Sequence, residues 1–292
     1  MKSIPTLKPS TFKNSLMSDY DRFYLDRKYF DDFFIHDLSQ QTYKLKLPLP
    51  PHRKTVHDLI MLTNGEMVKS SGIDNFKVGS NSIFLLPAGQ ITTTTNISKN
   101  IQGYYLHFSD DYLLRNLNFS FWLSNPVLKI REEETERLKY LLFQLDRIYR
   151  QSFNLDLIKA YLNTFLTEIF YLSGSERGQK LSNSEKIVSD FKMLLSEYCK
   201  SEHGLEFYSS KLNITSNHLN KCSKMVLNKT ASKVISEVLV LEAKVLLYQQ
   251  KWNISEIAFL LGFEDPSYFG RFFKKYTSHS PSDFLKMIDL SE

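Results

Sequence analysis

Residues 253–282 leave the chain little choice of local shape. Asn253, with Glu256 three positions on, is a capping pattern that starts a helix near Ile254. Ile257, Ala258 and Leu261 give that helix one apolar face, and Gly262 supplies the left-handed residue at which it stops. Asp265-Pro266 opens a second helix, with the aspartate as cap and the proline in the first turn, where an N–H would be unpaired anyway. Phe269, Phe272 and Phe273 fall at i, i+3 and i+4 and anchor this helix inward. That leaves Ser267, Gly270, Arg271, Lys274 and Lys275 outward or flanking. Two helices joined by a tight glycine turn, the second with basic and small polar side chains outside, describe a helix-turn-helix reader of DNA; a plain helical hairpin is the alternative. In the reader, Arg271 can take a guanine edge bidentately, while Lys274 and Lys275 suit phosphates.

A second copy of the pattern lies upstream. Leu205–Leu212 reads as a helix, Asn213-Ile214 as a turn, Thr215 as a cap and Ser216–Met225 as a second helix. Leu219 is its inward anchor, and Asn217, Asn220, Lys221 and Lys224 are its outward side chains. Asparagine can read adenine and lysine guanine, so this chemistry also suits a groove. Between the copies, Ala231–Tyr248 reads as one long helix that can bury Val234, Val238, Leu241, Val245 and Leu246. Charge supports the same reading. The chain carries a net charge of +5, and the stretch from Lys211 to Lys275 contains ten basic and five acidic residues, the whole of that excess.

The run from Trp252 to Tyr276, followed by Ser280-Pro281 and Phe284, resembles the signature of the AraC/XylS family of transcription regulators. Ile214–Leu219, Asn228–Thr230 and Leu241–Leu247 keep the same register, so the resemblance covers about Glu185–Met287. It implies an all-α, seven-helix domain with two helix-turn-helix units, at about 205–226 and 254–276. By position, the family's base contacts fall on Asn217, Asn220 and Lys221 in the first unit. In the second they fall on Pro266, Ser267, Gly270 and Arg271, of which only Ser267 and Arg271 have side chains able to hydrogen-bond a base. Lys224, Lys274 and Lys275 are the expected phosphate contacts. The sequence departs from the family at Ser223, where a bulky apolar residue is usual, at Leu239, where arginine is usual, and at Lys221, whose point charge replaces a forked guanidinium.

Upstream, the period of the pattern is shorter. Asp58–Thr63, Ser82–Leu86 and Tyr104–Phe108 read as strands of a small antiparallel barrel or sandwich, with Asn64-Gly65 as a hairpin turn. Phe30, Phe33 and Phe34 lie in a segment that reads as strand, arm or core. From Glu134 to Leu172 the period becomes helical. Leu138, Leu141, Leu142, Leu145 and Ile148 form one stripe; Tyr161, Phe165, Ile169 and Leu172 form another, with a polar break at Ser152–Asn154. Such a helix pair must pack on the barrel, on itself or on a second copy. The polar run from Ser173 to Ser184 reads as a flexible linker, placing domains at 1–172 and 185–292. The fold expected overall is α+β: a cupin-like β-barrel with a helix pair, then the helical domain.

Gly79–Gln90 resembles the second half of a cupin motif, as in the sensor domains of the same family. Metal-binding cupins place a histidine near Thr92 and a His-x-His pair with a glutamate earlier; both are missing here, so no metal and no catalytic residues are expected. His52, His57 and His107 read as core or surface histidines, with a pocket lining as the alternative. Cys199 and Cys222 read as packed thiols. No apolar run is long enough to cross a bilayer, and no secretory signal is apparent, so a cytoplasmic protein is expected. The resemblance implies double-stranded DNA as a partner, a homodimer, a small-molecule effector in a pocket lined by aromatics between Leu59 and Phe108, no cofactor, and RNA polymerase as a partner if the protein activates. A sensor half that binds another protein, or a cupin-type enzyme with a helical appendage, are the competing readings.

Overall fold

The computed structural model describes residues 7–18, 29–40, 44, 45, 47–114, 117, 119–151, 153–174 and 182–289. The chain divides into two compact units, one comprising Thr6–Lys180 and the other built on Leu181–Glu292. The first is rich in β-structure and the second is helical.

Among the described residues of the first unit a helix, α1 (Pro9–Leu16), precedes twelve strands: β1 (Met17–Ser18), β2 (Phe33–Asp37), β3 (Lys44–Leu45), β4 (His52–Arg53), β5 (His57–Asn64), β6 (Met67–Ser71), β7 (Asp74–Val78), β8 (Ser82–Leu86), β9 (Ile91–Thr92), β10 (Thr94–Ile97), β11 (Gln102–Phe108) and β12 (Val127–Lys129). Five of them form an antiparallel sheet in the order β12-β8-β5-β11-β2, and three form a sheet in the order β10-β6-β7; β1 pairs with β3 and β4 with β9.

The central strands show why their sequences are apolar runs and not alternations. In β5 and β8, Leu59, Met61, Ile83 and Leu85 join a core with the helices. Their neighbours Ile60, Leu62, Phe84 and Leu86 join a second core with Met67 and Val78 of the three-stranded sheet. Successive side chains point to opposite faces, so a strand covered on both sides must be apolar throughout. Phe30, Phe33 and Phe34 are core residues, the last two on edge strand β2.

Asn64-Gly65 does not make a hairpin. β5 pairs with β8 and β11, whereas β6 pairs with β7 and β10, so this turn carries the chain from one sheet to the other. Gly65 has φ 80°, and a Cβ there would meet Ser98 Oγ at 2.5 Å and Ile101 Cα at 2.8 Å. The tight hairpin lies at Gly72, between the paired residues Ser71 and Asp74.

After a short helix, α2 (Ser120–Ser124), come α3 (Glu132–Gln151) and α4 (Leu155–Leu172). Asn154 caps α4 by accepting from the Leu157 N–H at 3.0 Å. Of the three packing options, the stripes take the first two: Leu138, Leu142, Leu145, Phe165 and Ile169 share one core with the five-stranded sheet and with each other. Leu141, Ile148, Tyr161 and Leu172 are only partly covered.

Ser182 opens the second unit with a capping box to Glu185. Most of the expected linker, residues 175–181, lies outside the described residues. Among the described residues seven helices follow: α5 (Asn183–Tyr198), α6 (Leu205–Lys211), α7 (Ser216–Leu227), α8 (Ala231–Tyr248), α9 (Ile254–Leu260), α10 (Pro266–Thr277) and α11 (Pro281–Asp289). The buried face of α8 is wider than its sequence suggests. Ile235, Leu239, Ala243 and Leu247 are buried as well, whereas Val238 and Leu241 are only half-buried.

Gly103 on β11 has φ 133°, and a Cβ there would collide with the Met61 carbonyl oxygen of β5. A side chain is therefore barred twice, by the backbone conformation and by the neighbouring strand. Gly103→Ala is expected to destabilise the first unit by about 3 kcal/mol or more, read as a lower urea midpoint.

Candidate nucleic-acid interface and sensor cavity

The two helical pairs of the second unit are set by local capping. In the first, Asn213 turns the chain at φ 53°, and Thr215 Oγ1 accepts from the His218 N–H at 3.2 Å. Leu219, Cys222 and Ser223 form the buried face of α7. Asn217, Lys221 and Lys224 are exposed on the other side. Asn220 is half-buried and already engaged: its Oδ1 accepts from the Ala231 N–H at 2.9 Å, tying α7 to the start of α8. A two-point contact with adenine needs both the oxygen and the nitrogen of a carboxamide, so Asn220 must release Ala231 to make one. Its free amide donors can still reach outward.

In the second pair, the capping box of Asn253 and Glu256 closes at 2.9 and 2.8 Å. Gly262 turns at φ 78°, where a Cβ would collide with the Lys200 carbonyl oxygen. His203 accompanies it, with Nε2 2.7 Å from the Leu261 carbonyl oxygen; this tie spans 58 positions, and the sequence pattern holds no sign of it. Asp265 caps α10 by accepting from the Ser267 and Tyr268 N–H groups at 2.8 and 3.1 Å. These bonds, the one from Ser267 foremost, hold its carboxyl below the usual range. Phe269 and Phe273 are fully buried and Phe272 is half-buried. Ser267, Arg271, Lys274 and Lys275 are exposed. Arg271 Nη2 lies 3.8 Å from Asp265 Oδ2, a loose, exposed pair at the start of the helix. Tyr268, between Ser267 and Arg271 in the sequence, is exposed as well.

Residues 208–287 match the family described as "Helix-turn-helix domain". The C-terminal unit carries an AraC-type helix-turn-helix domain. Over 80% of its length, the chain is 24% identical to the uncharacterized HTH-type transcriptional regulator YisR of Bacillus subtilis, covering 87% of that protein. It is 30% identical to the Msm operon regulatory protein of Streptococcus mutans over 42% of this chain and 44% of that one. Among solved structures, ToxT of Vibrio cholerae O395 aligns over 88% of this chain and 94% of its own, with 15% identity and a TM-score of 0.41.

Within the AraC-type domain the departures from the family pattern are accommodated. Ser223 is fully buried and its hydroxyl donates to the Lys229 carbonyl oxygen at 2.8 Å, bracing the turn into α8. Leu239 is buried. Not all ten basic residues are available for a polyanion. Lys229 pairs with Glu237 at 2.8 Å, and Lys244 is half-buried with its ammonium 5.8 Å from the Phe284 ring centre.

The first unit holds a partly open cavity of about 280 Å³. Its aromatic lining comes mainly from Phe12, Phe30 and Phe34, ahead of the expected Leu59–Phe108 stretch, which contributes Tyr105. His36, His52 and His107 also line it. His57 does not; its ring stacks between Phe108 and Phe119. Thr92 is buried and donates to the Ser70 carbonyl oxygen at 2.7 Å. Among the described residues, no group of three or more His, Cys, Asp or Glu could hold a metal ion. Cys199 and Cys222 are buried and form no disulfide, and the Cys199 thiol donates to Glu242 Oε1 at 4.0 Å. No described helix is long and apolar enough to cross a membrane.

Burial keeps these histidines neutral. His36 is lowered to about 4, by burial first and Arg150 second. His52 is lowered to about 3, by burial and then by Lys54 and Lys69. His107 is lowered to about 4, by burial and then Lys54; His57 is lowered by burial against the pull of Asp110. The unfolded chain takes up these protons near 6.5, and the folded one refuses them until about 4. Between those values the unfolded state binds more protons, so stability is full above 6.5 and falls as pH drops towards 4. The melting temperature of this unit is expected to fall by on the order of 10 °C between about pH 7 and pH 5, measured by calorimetry in matched buffers.

Proposed function

We propose that this protein is a sequence-specific transcription regulator that grips double-stranded DNA with both helix-turn-helix units. The observation that carries the reading is the exposed second helix of each pair, which turns hydrogen-bonding and basic side chains away from a packed core. Asn217, Lys221, Ser267 and Arg271 are the base-reading residues, with Asn220 reaching outward through its amide donors. Lys224, Lys274 and Lys275 take phosphates, and Tyr268 adds a phenol to the same face. The chain is not an enzyme in this reading and works in the cytoplasm. RNA polymerase is a further partner where it activates.

The β-rich unit is then a cupin-like sensor whose cavity holds a small-molecule effector. Ligand binding shifts the population of DNA-competent molecules through its differential affinity for the two states. The unit also forms a homodimer through the outer faces of α3 and α4, where Tyr140, Phe143, Leu157 and Tyr171 stay exposed. The domains run over 1–172 and 185–292.

Arg271→Ala and Lys274→Ala separate the two kinds of contact. On a duplex selected from a random library, Arg271→Ala is expected to cost ~1–3 kcal/mol of specific affinity and relax the preference at one base pair. Lys274→Ala is expected to weaken all duplexes alike and reduce the salt slope by about one. Competition binding at several salt concentrations reads both, and an unchanged base preference in Arg271→Ala removes it from the reader.

A further inference from the structure

The polar end of the sensor cavity carries charges that do not balance. Lys54 and Lys69 both line the cavity and are both buried. Asp58, itself enclosed, is the one acid in contact with either among the described residues. Lys54 donates to the two Asp58 oxygens at 3.2 and 3.0 Å and to the Tyr105 hydroxyl at 3.0 Å, which uses its three protons. Lys69 is placed differently. Its Nζ stands 4.0 Å from the Asp58 carboxylate, beyond hydrogen-bond reach, and 3.5 Å from Thr94 Oγ1. With His52 and His107 neutral, two cations face one anion in low-dielectric surroundings, where unpaired charge is costly. Burial pushes the Lys69 ammonium down to about 8; Asp58 works against this and Lys54 adds to it.

A second, independent group is unsatisfied at the same cavity. His52 Nδ1 lies 2.8 Å from the Pro50 carbonyl oxygen and therefore carries the proton, which leaves Nε2 as a bare acceptor. That Nε2 is buried and has no hydrogen-bond partner. His52 lies opposite Thr92 of β9 and Lys69 opposite Thr94 of β10, two positions on, and both residues line the same cavity, where the Lys69 charge acts on the imidazole. The remaining wall is largely apolar, with Phe12, Phe30, Phe34, Leu49, Ile60 and Ile101.

These features define a ligand. One carboxylate beside Lys69 brings the buried charge to zero, whereas a dianionic phosphate would leave a negative charge buried. A hydroxyl satisfies His52, and a largely apolar wall suits a hydrocarbon or aromatic body better than a polyol. Building on the effector reading above, we propose that the cavity binds a small hydroxycarboxylic acid with an apolar body, its carboxylate on Lys69 and its hydroxyl donating to Nε2 of His52.

The test uses the full chain in thermal-shift and calorimetric titrations. The probes are straight-chain hydroxy acids and hydroxyphenyl-alkanoic acids of graded length, each with its deoxy acid and its primary amide. At least one hydroxy acid is expected to bind tenfold or more tightly than its amide and threefold or more tightly than its deoxy acid. Lys69→Met should abolish the preference for acid over amide, and His52→Phe the preference for the hydroxyl. Lys69→Met removes a buried charge, so its melting temperature should not fall below that of the wild type; Lys69→Gln serves as the second variant. Failure of every acid to bind, or equal binding of acids and amides, overturns the proposal. Duplex affinity measured with and without the probe separates this site from the sensor reading. An acid that binds without changing DNA affinity contradicts the sensor role alone. An amide that binds as well as its acid and changes DNA affinity contradicts the anion site alone.

Discussion

The helical unit depends on one constraint, the burial of a broad face of α8. Ala231, Val234, Ile235, Leu239, Ala243, Leu246 and Leu247 leave it little free surface, so it works as a spine and not as a surface helix. Its start is fixed twice, by the Thr230 cap and by the Asn220 carboxamide reaching from the first pair. Its 18 residues rise about 27 Å. The distance between α7 and α10 is therefore a consequence of a packed core. The cost of bending that core resists any change in their spacing.

The β-rich unit follows a different logic. β5 and β8 are covered on both faces, by the helix pair on one side and the small sheet on the other. The second interface is incompletely filled, and the space left is the cavity. Its apolar walls are ordinary core residues, but Lys54, Asp58, Lys69, His52 and His107 are polar groups held where a core would place hydrocarbon. Stability alone does not favour such a cluster, since isosteric apolar residues would spare the desolvation cost. In the sensor proposed above, recognition of an anionic ligand gives the cluster its use.

Much of the helical unit was legible because its signals are local. Asn253 with Glu256, Asp265 with its two N–H partners, Thr215 and Gly262 all act within a few residues of themselves, and each caps or turns the chain as the sequence requires. Contacts that cross the chain were not legible. Asn220 reads as an outward side chain until Ala231, eleven residues on, claims its oxygen. Asn64-Gly65 carries a hairpin signal, yet the strands on either side of it pair in different sheets. The cavity was hardest to foresee, because Phe12, Phe30 and Phe34 come from a stretch without a clear period. The pairing of Lys54 with Asp58 is an i,i+4 spacing with no helix to give it meaning.

The central claim is that two readers on one spine engage DNA together. Hydroxyl-radical footprinting of the full chain on a duplex selected from random sequence tests it most directly. Two protected patches on one face, with centres about 10 base pairs apart for each bound chain, are predicted. Protection confined to a single patch per chain, unchanged when Asn217 and Lys221 are both replaced by alanine, would contradict it.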